Sequence, residues 1–163
     1  MAELWDAYDV NLNKIEGAVL VRGEEIPDGM YHLVCDVLVR HVDGSFLLVQ
    51  RHPQKHFGLT WEASAGGSAL QGETAKDCAL RELFEETGIV PTSVKQLGHV
   101  VHHRHKCIFV EFLCETDCAK EGVKLQESET VAYKWVKAEE LTNMSVSQFP
   151  STRIFGFVDL SKM

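Results

Sequence analysis

Four carboxylates crowd one short stretch of this chain: Glu73, Glu82, Glu85 and Glu86. The last three fall at i, i+3 and i+4, so a helix sets them side by side on one face. Like charges at that spacing destabilise a bare helix by about a few tenths of a kcal/mol per pair. A divalent cation reverses that sign. Hard cations such as Mg²⁺ take carboxylate oxygens, keep several waters and accept substrate phosphates in the remaining positions. The net charge of −8 repels an anionic substrate, so basic residues must act locally. Arg51 and Lys55, just before the acidic stretch, are the candidates for binding substrate, with His102, His103, Arg104, His105 and Lys106 further on.

The element that positions the carboxylates has clear ends. Thr74 followed three residues later by Asp77 reads as a capping box, and Glu73 and Asp77 bring negative charge to the positive helix end. Gly88 stands where a C-terminal glycine belongs, and Pro91 prevents continuation. Between these limits Leu80, Leu83, Phe84 and Thr87 form the expected core stripe, supported by Ala75, Cys78 and Ala79. The acidic trio is expected to project off that stripe.

Around the helix the sequence predicts strands. His32 to Arg40 and Phe46 to Gln50 flank Asp43-Gly44, a hairpin signal. Leu4 to Arg22 reads as an earlier hairpin turning at Asn11 to Asn13. Val94 to His103 and Cys107 to Cys114 read as neighbouring antiparallel strands, and Thr130 to Val136 as another. Ala138 to Leu141 suggests a helical turn, and Pro150 to Val158 a terminal helix. At 163 residues the chain suits one domain, residues 1–163, with residues 1–25 as a β-hairpin extension. The acidic balance argues against a nucleic-acid polymer as partner, and no apolar run approaches the roughly 20 residues of a membrane span. Five cysteines without a Cys-x-x-Cys pair, and no secretory signature at the start, lead us to expect a reduced, cytoplasmic protein. A homodimer through the hairpin edge is the expected assembly.

The spacing of Gly67, Glu73, Arg81, Glu82, Glu85, Glu86, Gly88 and Ile89 resembles the complete signature of the Nudix hydrolases. The resemblance implies an α/β fold, the Nudix α/β/α sandwich with a mixed β-sheet, here carrying the N-terminal β-hairpin extension. It also implies Mg²⁺, with Mn²⁺ as substitute, and hydrolysis of a nucleoside diphosphate-linked or related small molecule by water attack on phosphorus. Carried onto matching positions, it makes Glu82, Glu85, Glu86 and the Gly66 carbonyl the metal ligands. Glu73 and Arg81 become the ion pair that supports them. Glu82 is the first choice of general base. Glu129, six residues before Trp135, matches a glutamate that relatives supply from a loop, with Glu127 as its near alternative. Trp61 is expected as a packing aromatic at the site wall. The cluster His99, His102, His103 and His105 need not converge on a metal, because alternation along a strand separates its members.

Trp61 to Gly67, together with the N-terminal hairpin, is similar to the branch related to isopentenyl-diphosphate isomerase. That isomerase needs a cysteine and a metal-binding histidine where this chain carries Gly66 and Ser68, so the hydrolase reading is preferred. A non-catalytic nucleotide-binding module is a third reading, disfavoured because all four glutamates of the signature are present. The group joined to the diphosphate stays open.

Overall fold

The computed structural model describes residues 1–144, 148–149 and 153–158. Nine strands and two α-helices appear among them: β1 Leu4–Tyr8, β2 Lys14–Val21, β3 His32–His41, β4 Phe46–Arg51, β5 Trp61–Ala63, β6 Ala65–Ser68, α1 Ala75–Thr87, β7 Ser93–His102, β8 Cys107–Thr116, β9 Thr130–Val136 and α2 Ala138–Asn143. The first two strands form a separate antiparallel hairpin, and the other seven form one sheet. Its main path runs β5-β4-β3-β8-β7, with β6 added to β3 and β9 to β4. β3 and β8 run parallel while their neighbours are antiparallel, so the sheet is mixed, as expected.

Alternation along the two central strands explains the layering. Leu33, Cys35, Val37 and Val39 of β3, with Ile108, Val110, Phe112 and Cys114 of β8, face a core that Cys78, Ala79 and Leu83 of α1 complete. Leu38 and Leu113 face a second core with Phe46, Leu48, Leu141 of α2 and Ile154. The sheet is thus packed on both faces, which is the sandwich arrangement. The hairpin keeps a small core of its own around Trp5, Ala7 and Leu20.

Both caps of α1 form as read. Thr74 Oγ1 accepts from the Asp77 N–H at 3.1 Å, and the Asp77 carboxylate accepts from the Thr74 N–H at 3.0 Å. Gly88 closes the helix at φ 73°, a left-handed conformation that costs glycine little. The core stripe is rotated from the expected one. Phe84 is 58% exposed, and Glu86 is buried beside Leu83 and Thr87. The reason is the close seat of α1 on β6, which turns the Glu86 edge of the helix inward. The terminal segment also differs. A short 3₁₀ turn, Ile154–Phe157, stands where a helix was expected, and its proposed start at Pro150 lies outside the described residues.

Candidate active site

The acidic residues are gathered by the meeting of β6, α1 and the loop between them. Arg81 is the hub. Its guanidinium donates to both Glu73 oxygens at 2.6 and 3.0 Å, to Glu82 at 2.7 Å, to Glu85 at 3.3 Å and to the Ser68 carbonyl at 3.1 Å. Glu73 also accepts from the Leu70 N–H at 2.8 Å, which ties the loop to the helix. Burial opposes ionisation of Glu73, yet Arg81 and the Leu70 amide together hold its carboxyl below the usual range. Glycine at 66 and 67 allows the close approach. A Cβ at Gly67 would lie 2.3 Å from Glu82 Oε1, and one at Gly66 would lie 2.7 Å from Asp36 Oδ1.

The trio is unequal. Glu85 is exposed, Glu82 half-buried and Glu86 buried. Burial pushes the Glu86 carboxyl up to about 9, with the charges of Glu82, Glu62 and Glu129 adding to it. Burial also raises Glu82, against the pull of Arg81. Glu86 Oε1 lies 3.5 Å from the Gly66 N–H. No three acidic, histidine or cysteine side chains meet in ligating geometry among the described residues, since Arg81 draws Glu82 and Glu85 toward itself. The donor set nonetheless fits a divalent cation: clustered carboxylates, one of them buried, whose like charges make ionisation costly until a cation offsets them.

Two adjoining hollows meet at this place. One, of about 330 Å³, is lined by Asp36, Arg51, Lys55, Glu62, Phe109 and Arg153 among others. The other, of about 420 Å³, is lined by Arg81, Glu82, Glu85, Glu86 and Gln126. Lys55, Gly66, Gly67, Glu86 and Glu129 belong to both. Both expected substrate-binding cations therefore reach the site, but each is already paired. Lys55 pairs with Glu129, and Arg51 donates to Glu62 at 2.8 Å. Glu129 stands at the junction, held there partly by its carbonyl, which accepts from the His52 N–H at 2.9 Å. Glu127 is exposed and lines neither hollow.

A family model described as the NUDIX domain matches residues 30–153. The chain belongs to the Nudix hydrolase family. An uncharacterized Nudix hydrolase of Listeria monocytogenes is 31% identical over 85% of this chain and 82% of its own length. A solved structure from Deinococcus radiodurans superimposes with a TM-score of 0.67 at 18% identity, covering 85% of this chain and 86% of that one. A MutT protein from Methanosarcina mazei gives 0.63 at 25% identity, covering 81% and 94%.

This Nudix chain carries groups at the site that sequence reading passed over. Asp36 of β3 and Glu111 of β8 are register partners, and Arg153 bridges them, donating to Glu111 at 2.7 Å and pairing with Asp36. Its guanidinium carbon sits 3.4 Å from the centre of the Phe109 ring. Burial and the Asp36 charge push the Glu111 carboxyl up to about 7, against Arg153. The available signal was a carboxylate in the middle of each apolar strand, a costly choice unless it finds a polar partner. Trp61 does not line either hollow; it packs against the second core, with Lys134 Nζ 4.3 Å from its ring centre. His99 and His102 belong to β7, whereas His103 and His105 sit in the turn after it, where strand alternation no longer applies. His102 and His105 stack at 4.6 Å, and His103 Nδ1 lies 2.9 Å from the Tyr31 hydroxyl.

Proposed function

We propose that this chain is a Mg²⁺-dependent pyrophosphohydrolase acting on a nucleoside diphosphate-linked or related small molecule. The observation that carries the reading is the junction of the two hollows, where Glu86, Glu129, Lys55 and the Gly66-Gly67 backbone face one space. Glu82, Glu85, Glu86 and the Gly66 carbonyl are the residues that would hold the metal. When bound, the cation neutralises the diphosphate oxygens and acidifies a water. Mn²⁺ suits the same oxygen donors.

The chain's own residues then divide the work. Arg81 and Glu73 orient the carboxylates. Lys55 and Arg51 exchange their glutamate partners for phosphate oxygens, which keeps each cation paired throughout. Glu82, which lines the second hollow, takes the proton of the attacking water, with Glu129 at the junction as the alternative base. The water oxygen bonds to phosphorus as the bridging P–O bond breaks, and the leaving phosphate departs with the electron pair. Glu82→Gln and Glu86→Gln should each lower Mg²⁺-dependent phosphate or nucleotide release from a diphosphate panel by about 10²-fold or more with the fold retained by circular dichroism. Wild-type turnover in both variants would overturn the assignment.

A further inference from the structure

The N-terminal hairpin lies outside the matched span of residues 30–153, yet it supplies two residues to the polar hollow. Glu3, just before β1, and Arg22, just after β2, line it together with Glu82, Glu85 and Glu86. Their placement is fixed through the body. Arg22 donates its N–H to the Glu3 carbonyl at 2.9 Å and Nη1 to Glu3 Oε2 at 3.2 Å. Glu3 Oε1 accepts from Trp5 Nε1 at 2.6 Å, and the buried Trp5 ring stacks on His32 of β3 at 4.0 Å. The hairpin also grips the loop before α1: the Gln71 N–H donates to the Leu4 carbonyl, and the Gly72 N–H to Asp6 Oδ2, both at 2.8 Å. Arg22 is nevertheless 65% exposed and presents a fork of donors suited to phosphate oxygens.

The two hollows differ in what they can recognise. Phe57, Phe109, Val34 and Ile154 give the first an aromatic and apolar wall. Among the described residues no aromatic lines the second, where Leu70 is the one large apolar side chain. A diphosphate held at their junction points its organic group into the first and its other end toward Arg22. A second nucleobase there would have no ring to stack on. A terminal phosphoryl group, with up to two negative charges, meets a guanidinium.

We infer that Arg22 is a substrate-binding residue for a free terminal phosphoryl group, and that the chain favours diphosphate monoesters over diphosphates substituted at both ends. This rests on the hydrolase reading above. The test compares nucleoside diphosphates with the matching symmetrical dinucleoside diphosphates, using full-length protein and Mg²⁺. Wild type should turn over the monoesters with the higher kcat/KM. Arg22→Gln should raise their KM by about 10- to 100-fold, with a smaller change in kcat, and Arg22→Lys should recover part of the loss. An equal loss on both substrate classes, which a purely structural role predicts, would overturn the inference, as would an unchanged monoester KM. Absence of Mg²⁺-dependent turnover on every diphosphate would instead overturn the hydrolase reading itself and this inference with it.

Discussion

Gly67→Ala tests whether the acidic site depends on the contact between β6 and α1. A methyl group there meets Glu82 Oε1 at 2.3 Å and Glu82 Cδ at 2.4 Å. Ordinary contact begins at 3.4 Å, so the carboxylate must retreat by about 1 Å. That movement is cheap for the fold, because the clashing atoms end a flexible side chain. The stability cost should stay at or below the low end of the roughly 1–3 kcal/mol typical of overpacking. It is expensive for function, because a misplacement of about 1 Å at a reacting centre costs on the order of 10²-fold in rate. The retreat also strains the 2.7 Å bond from Arg81 to Glu82.

The assay pairs urea unfolding with Mg²⁺-dependent phosphate or nucleotide release. We expect a midpoint near that of wild type together with kcat/KM lowered by about 10²-fold. A variant that keeps wild-type kcat/KM would refute the reasoning. So would a loss of activity that merely follows a loss of fold.

Arg81→Ala should remove charge-assisted bonds from a hub only 24% exposed, lowering stability by on the order of 2 kcal/mol and activity with it; Arg81→Lys should recover stability better than activity, because an ammonium cannot reproduce the fork. Thermal unfolding and turnover measured side by side check this. Glu111 titrates at about 7 in the fold against an ordinary value of 4.5. Its protonation therefore favours the folded state fully below pH 4.5, and that contribution fades as pH rises to about 7. Wild type should lose stability relative to Glu111→Gln across that window, and parallel urea midpoints would refute it. Asp6→Ala should leave the Gly72 N–H without its partner, at about 1–2 kcal/mol locally. Hydrogen exchange at Gly72 should then quicken, and unchanged exchange would count against the hairpin as a clamp.

The parts of this site that could be read from sequence are the contiguous ones. Gly67 to Ile89 carries its own caps, its own ion pair and the clustered carboxylates proposed as metal donors, so local rules and chemistry point to the same answer. Glu129, which the family resemblance picks out six residues before Trp135, is found lining both hollows. The opposite wall was not legible, because it exists only after distant strands pair. Asp36 and Glu111 become neighbours through the parallel register of β3 on β8, and Arg153 joins Asp36 across 117 residues. Asp36 lines the first hollow, and Glu111 lies buried behind it, joined to it through Arg153. Arg22 belongs to the same class. Nothing near it in sequence suggests phosphate, and only the docking of the hairpin on Gln71 and Gly72 turns an ordinary surface arginine toward the glutamates. The helix stripe failed for a related reason. Phe84 is the stronger hydrophobe, yet Glu86 is buried, because the tight seat of α1 against Gly66 and Gly67 sets the helix rotation ahead of side-chain hydrophobicity. A buried carboxylate there costs folding energy that an ordinary core residue would not. Its burial makes sense when the cation that offsets the charge arrives with function rather than with folding.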